Sequence, residues 1–132
     1  NIDPGRIIFA ERLEKKEQHL ARYKICDLAL DTFNYNGHTT TSDALWMGLP
    51  VLTKTGKSFA SRIAASILNS LNLDELITTT EREYEEKALY LAQNRDELLR
   101  LKRQLKTIND ENIVKSENYV KELENLFLRI IK

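Results

Sequence analysis

The chain has 132 residues, 42% of them hydrophobic, the size of one modest globular domain or of a piece of a larger one. Lys plus Arg and Asp plus Glu both number 20, so no global charge argues for a nucleic-acid partner. One cysteine and two histidines leave no internal disulfide and too few ligands for an ordinary zinc site, and no apolar run approaches the ~18 residues of a membrane span.

The opening "NIDPGRIIFA" is turn chemistry at Asp3-Pro4-Gly5 followed by the apolar run Ile7-Ile8-Phe9, expected to be a buried strand. A start of this kind is expected of an excised piece, and no charged-then-apolar leader precedes it. Residues 14–25 read as a polar helix with a sparse apolar face. "DLALDT" at 27–32 is the next short strand.

Residues 34–46, "NYNGHTTTSDALW", lead into about two helical turns at Ala44–Met47, which Gly48 and Pro50 stop. "PVLTKT" is a third strand. Phe59, Ile63, Ile67 and Leu71 recur every four residues, an amphipathic helix over 58–72. Trp46 and Phe59 are expected in the core. Leu76-Ile77 is a very short fourth strand.

"TERE" at 80–83 is a capping box opening a helix to about Asn94. Asp96 is expected to cap another, carrying Leu98, Leu101 and Leu105. A last helix carries Val120, Leu123, Phe127 and Ile130. The charges of this tail read as solvated helix surface.

This order is α/β: a short parallel sheet with flanking helices and a helical C-terminal tail, half of a doubly wound domain. The division expected is 1–79 for the Rossmann-like part and 80–132 for the helical extension. Loops that follow parallel strands gather at one edge, where ligands bind. Here those loops are 10–16, 33–41 and 54–57, all polar or basic.

Asn36-Gly37 taken alone signals a hairpin, yet threonines and a helix follow it rather than an alternating strand. A strand-to-helix junction fits better. Gly37 lets the backbone approach a ligand, and the helix N-terminus with Thr39, Thr40 and Thr41 suits phosphate. Asp43, a turn further in, is placed to accept from sugar hydroxyls. The competing reading is that Thr40, Thr41 or Ser42 only cap the helix and that Asp43 only favours its dipole. His19 and Arg22, with Lys16 three residues before, share one helix face, either flanking a planar ligand or merely solvated. Asp31, His38 and Ser42 match no hydrolytic triad in order or spacing.

The string "ALDTFNYNGHTTTSDALWMGLPVLTKTGKSFASRIAASIL" resembles the nucleotide-sugar-binding segment of the protein O-linked N-acetylglucosamine transferase family, related to SPINDLY. The likeness is dense from Leu30 to Ser66 and extends in weaker form over nearly the whole chain. "AERLEKKEQH" is one residue longer than its counterpart and lacks the family's prolines. "KTGKSFASR" puts Thr-Gly-Lys where the family has Pro-Gly-Glu, which leaves Lys57 without a role.

The resemblance implies a partial Rossmann-like domain, the C-terminal half of the C-terminal lobe of a GT-B glycosyltransferase. It implies that Gly37, His38, Thr39 and Thr40 hold the diphosphate, that Asp43 binds the ribose, and that Lys16, His19 and Arg22 border the base. The donor implied is a UDP-sugar, with UDP-N-acetylglucosamine foremost, and the acceptor is Ser or Thr of proteins, engaged by regions outside this chain. The chemistry implied is inverting and needs neither metal nor cofactor. The family's phosphate-binding lysine lies upstream, so no catalytic residue is expected here and the piece alone is expected to be inactive. A cytoplasmic enzyme with helical (TPR) repeats upstream, and with no nucleic-acid or membrane partner, completes that expectation. The alternative is a non-catalytic nucleotide- or phosphate-binding module on the same half fold.

Overall fold

A four-residue strand is the centre of the molecule. In the computed structural model, which describes residues 3–110 and 116–131, β2 (Val51–Lys54) is flanked by β1 (Ala29–Leu30) and β3 (Ile77–Thr78). All pairings are parallel, in the order β1-β2-β3, with Ala29 opposite Val51, Leu30 opposite Leu52, Thr53 opposite Ile77 and Lys54 opposite Thr78. Val51, Leu52 and Thr53 are buried, as expected of a strand covered on both faces. This is the expected α/β fold with a parallel sheet.

Helices precede, connect and follow the strands. α1 (Lys16–Ala21) runs into a 3₁₀ turn over Arg22–Ile25, and α2 (Thr39–Trp46) links β1 to β2. α3 (Ile63–Ser70) links β2 to β3. Both crossover helices end in a Schellman motif. At α2, Gly48 takes φ +78, its N–H donates to the Leu45 carbonyl (3.0 Å), and Leu49 N–H donates to that of Ala44 (2.9 Å). At α3, Asn72 takes φ +55, and Leu73 N–H donates to the Leu68 carbonyl (3.0 Å). Leu49 and Leu73, the residues after these turns, are buried, so each helix stop also feeds the core.

α4 (Glu81–Gln93) opens on the expected capping box. Glu83 N–H donates to Thr80 Oγ1 (3.1 Å) and Thr80 N–H to Glu83 Oε2 (3.3 Å). α5 (Arg95–Asp110) buries Leu98, Leu101, Leu105 and Ile108, spaced three and four apart. These join Leu91 of α4 and Ala44, Leu45, Val51, Leu68 and Leu76 in one continuous core. Each such leucine contributes about 1.5–3 kcal/mol by leaving water. α6 (Ser116–Ile130) carries its expected apolar residues Val120, Leu123, Phe127 and Ile130 exposed.

Several expectations are corrected. Ile7-Ile8-Phe9 is not a buried strand: the run has no strand assignment and Phe9 is 91% exposed. An apolar run becomes a strand only where it pairs with a neighbour's ladder, and among the described residues this run's backbone bonds only to its own turn, Ile7 N–H to the Pro4 carbonyl (3.0 Å), and to no strand. Phe59 (73% exposed) precedes α3, because reciprocal hydrogen bonds between Ser58 and Ser61 tighten residues 58–61 into a turn and delay the helix. The buried face of α3 is therefore Ala64, Ala65 and Leu68, with Ile63 and Ile67 half-buried. Trp46 (59% exposed) lies one residue past Leu45, which takes the inward position on α2. Asp96 sits inside the first turn of α5. The preceding junction is made by Asn94, whose carbonyl accepts from Glu97 (3.1 Å) and Leu98 (3.3 Å) N–H. The fourth strand is Ile77–Thr78, with Leu76 in the turn before it.

Candidate functional site

The loop from Asp31 to His38 leaves the C-terminal end of β1 and delivers the chain to α2. It is wound by its own polar groups. Thr32 Oγ1 donates to the Tyr35 carbonyl (2.7 Å) and Asn36 Nδ2 to that of Thr32 (2.9 Å). Asn36, only 1% exposed, also sends its N–H to the Ala60 carbonyl (2.9 Å), tying this loop to the one after β2. Two of the three expected ligand-edge loops thus meet. The first, residues 10–16, follows no strand, and Arg22 braces it by donating to the Glu11 carbonyl.

Gly37 has no space for a side chain. A Cβ there would stand 2.6 Å from both Thr40 Oγ1 and Thr41 Oγ1 and 3.3 Å from Asp31 Oδ1. Its N–H donates to Asp31 Oδ1 (2.7 Å) and its carbonyl accepts from Thr41 Oγ1 (2.8 Å). The glycine is required by close approach of protein groups as well as by any ligand.

His38 is the N-cap of α2, with φ −102 and ψ −87, and no side chain caps the helix. The first helical bond is Ser42 N–H to the His38 carbonyl (3.1 Å), and the N–H groups of Thr39, Thr40 and Thr41 have no acceptor among the described residues. The simple capping reading of Thr40, Thr41 and Ser42 therefore does not hold: Thr41 and Ser42 hydroxyls donate backward to the carbonyls of Gly37 and His38. Thr39 and Thr40 are exposed at this end. The His38 ring stacks on Tyr35 at 5.0 Å and 14°, and its Nε2 is buried with no hydrogen-bond partner among the described residues; Asn36 Oδ1 is likewise. Uncapped amides, free threonine hydroxyls and an imidazole nitrogen form an anion-receptive end, with the helix dipole adding partial positive charge.

Asp43 lies one turn into α2, half-buried. Burial, then the nearby charges of Asp43 and Cys26, push the Tyr23 phenol above its ordinary value. Tyr23 lines a hollow with Asp31, Thr40, Thr41 and Ala44, and His19 meets its ring edge-on at 5.5 Å. His19 is thus linked through Tyr23 to the start of α2. Arg22 is half-buried and engaged with Glu11, and Lys16 is exposed at the first position of α1. Gly37, His38, Thr39 and Thr40 are contiguous at the start of α2 and Asp43 follows one turn on; His19 approaches through Tyr23, and among the described residues no contact joins Lys16 or Arg22 to that end. Among the described residues no group of three His, Cys, Asp or Glu side chains is placed to hold a metal ion, and no helix is long and apolar enough to cross a membrane.

Sequence reasoning missed Tyr23, Tyr35, Asp31 as an anchor, and Thr53 and Tyr84, which bind Asp31. Thr53 Oγ1 donates to Asp31 Oδ2 (2.6 Å) and Tyr84 Oη to the Asp31 carbonyl (3.0 Å). The register of "DLALDT" against "PVLTKT" carried the first signal, since Leu30 and Leu52 pair and each precedes one of the two residues. No local signal announces Tyr84.

A parallel α/β fold with an uncapped helix N-terminus beside a glycine and a histidine at the sheet edge is an arrangement of the kind that suits a phosphate group. The comparisons give the family. A profile of glycosyl transferase family 41 matches residues 1–123, and the chain belongs to that family. It is 41% identical over 101 residues to a UDP-N-acetylglucosamine–peptide N-acetylglucosaminyltransferase of Caenorhabditis elegans, covering 76% of this chain and 9% of that protein. It is 31% identical over 127 residues to a probable enzyme of the same description, SPINDLY, of Oryza sativa subsp. japonica, covering 96% of this chain and 14% of that protein. A solved O-GlcNAc transferase mutant from Thermobaculum terrenum superposes with a TM-score of 0.81 at 37% identity, over 87% of this chain and 22% of that one. The chain thus spans roughly a tenth of the length of these curated relatives.

Proposed function

We propose that this chain is the donor-binding part of a longer glycosyltransferase that moves N-acetylglucosamine from UDP-N-acetylglucosamine to peptide hydroxyls. The observation that carries the reading is the start of α2: three backbone N–H groups without acceptors among the described residues, following a glycine held from both sides, beside a histidine whose buried nitrogen has no partner among them. The relatives' descriptions supply the donor and the acceptor class.

In this reading Gly37, His38, Thr39 and Thr40 hold the diphosphate, Asp43 accepts from the ribose, and Lys16, His19 and Arg22 border the uracil. An acceptor hydroxyl attacks the anomeric carbon as the bond to the diphosphate breaks, its proton passing to a base supplied from outside this chain, and the new negative charge grows on the departing phosphate. Amides and imidazole fixed in advance around that oxygen lower the barrier without reorganising. The acceptor and the remaining catalytic groups come from outside this chain, so the piece alone transfers nothing. No metal is required, because the helix end and the side chains supply the stabilising charge. The protein works in the cytoplasm.

The test uses the full-length protein. Calorimetry should detect UDP binding that a chelator leaves unchanged, and labelled sugar should pass to peptides. His38→Ala should lower turnover roughly 10²–10³-fold, the usual effect of removing one such donor, while thermal unfolding stays cooperative. Binding of UDP without transfer favours the non-catalytic module instead. Unchanged turnover in His38→Ala removes His38 from the mechanism.

A further inference from the structure

We propose that Asp31 is the positioning residue of the donor site, and that Tyr84 on α4 clamps it, making the helical extension part of that site. The proposal rests on the reading that the start of α2 takes the diphosphate.

Asp31 is held from three directions. Its N–H donates to the Leu52 carbonyl of β2 (3.0 Å), and its carboxylate Oδ2 accepts from Thr53 Oγ1 of the same strand (2.6 Å). Its carbonyl accepts from Tyr84 Oη (3.0 Å), which arrives from α4 across 53 residues of sequence. The remaining oxygen, Oδ1, accepts the Gly37 N–H (2.7 Å). A residue bound to the sheet and to a helix therefore dictates where the loop turns into His38.

That dictation is needed. His38 sits at φ −102 and ψ −87, outside the helical and extended basins, a conformation that persists only where its surroundings impose it. The Gly37 N–H bond is the last fixed point before it. Thr41, whose hydroxyl donates to the Gly37 carbonyl (2.8 Å), is the first fixed point after it.

The clamp has its own support. Phe33 meets Tyr84 edge-on at 4.9 Å and 83°, and Lys54 Nζ lies 4.4 Å from the centre of the Phe33 ring while pairing with Glu81 (3.2 Å). The first turn of α4 thus grips the loop after β1 by an aromatic edge contact, a cation over a ring face and a hydroxyl on a carbonyl.

Substitutions in the full-length protein separate positioning from mere stability. Asp31→Ala should weaken UDP binding at least tenfold by calorimetry and raise the KM for the sugar donor, leaving the KM for acceptor peptide unchanged. Asp31→Asn should restore donor KM to within about threefold, because its carbonyl still accepts from Gly37 while its amide donates to Thr53 Oγ1. Tyr84→Phe keeps the ring on Phe33 and loses one hydrogen bond, so donor KM should rise roughly two- to tenfold. If Asp31→Ala does not fold, Tyr84→Phe and Asp31→Asn decide: unchanged donor KM in the first, or a tenfold or greater rise of donor KM in the second, overturns the proposal. A lowered melting temperature in Asp31→Ala with UDP affinity unchanged overturns it as well. Absence of UDP binding by the wild type overturns the donor-site reading, and the positioning role with it.

Discussion

Gly37→Ala sets the geometry of the α2 entrance against simple loss of stability. The added Cβ would lie 2.6 Å from two threonine oxygens, well inside contact distance. Thr40 is exposed and its hydroxyl can rotate away. Thr41 is buried, β-branched and bonded to the Gly37 carbonyl, so its oxygen can move only by giving up that bond. Overpacking of this kind costs roughly 1–3 kcal/mol, and the backbone relieves it by shifting the turn that positions His38 and the free amides of Thr39–Thr41. Losing one hydrogen bond to a charged phosphate costs about 1.5–3 kcal/mol, or roughly 10- to 150-fold in the Kd for UDP. Gly48→Ala is the matched control. Its φ of +78 makes a side chain strained, at roughly 1–2 kcal/mol, yet nothing lies within 4 Å and the site is at the other end of α2. Calorimetric titration of both variants in the full-length protein, with melting temperatures alongside, reads the difference. Gly48→Ala should melt lower and bind UDP normally, whereas Gly37→Ala should bind poorly. Equal affinity in Gly37→Ala and wild type, or equal losses in the two variants, refutes the reasoning.

The remaining predictions concern the frame around the site. Leu101→Ala empties a fully buried position of α5 and should lower unfolding free energy by about 2–5 kcal/mol in urea denaturation. Thr80→Ala removes the N-cap of α4 and should cost about 1 kcal/mol by the same measurement. Burial, and secondarily the Asp31 charge, push the Tyr84 phenol up to about 12 from its ordinary 10. The folded state then keeps Tyr84 neutral where the unfolded chain ionises, so this stabilisation is full below pH 10 and is lost as pH rises towards 12. Melting temperatures of wild type and Tyr84→Phe across pH 9 to 12 should converge at the alkaline end, and parallel curves exclude the effect.

What was legible in the sequence was whatever acts within four or five residues. Gly48 and Pro50 announced the end of α2, and Thr80 with Glu83 announced the start of α4, because capping is local hydrogen bonding. The leucines of α5 announced their burial because one helix face needs only a spacing of three and four. Ile7–Phe9, Trp46 and Phe59 were misread for a shared reason. Apolarity says a side chain favours burial, but position relative to neighbouring elements decides whether burial is on offer. In the site, glycine, histidine and threonines stood out as types, while Asp31 did not, since a carboxylate beside a presumed phosphate invites no structural role until both its oxygens are seen occupied. Tyr84 reaches Asp31 only through the packing of α4 on β2, which no local pattern encodes.

The two ends of α2 are treated unequally, and the inequality is itself informative. At its C-terminal end the carbonyls are well used: Asp43 accepts from Met47, Ala44 from Leu49, Leu45 from Gly48 and from Asn109 Nδ2 (3.2 Å), and Trp46 from Asn109 Nδ2 (3.0 Å). At its N-terminal end three N–H groups have no acceptor among the described residues, although Thr40, Thr41 and Ser42 are residue types that cap readily. A helix built for stability alone gains about 1 kcal/mol from a proper N-cap. Here Thr41 and Ser42 turn their hydroxyls back to the carbonyls of Gly37 and His38, and the N-cap position is given to a histidine. The extension braces both ends, Asn109 of α5 at the closed one and Tyr84 of α4, through Asp31, at the open one. A helix held this firmly yet left uncapped at its start forgoes local stability for a set of donors whose positions are already fixed, which is the condition the proposed diphosphate site requires of them.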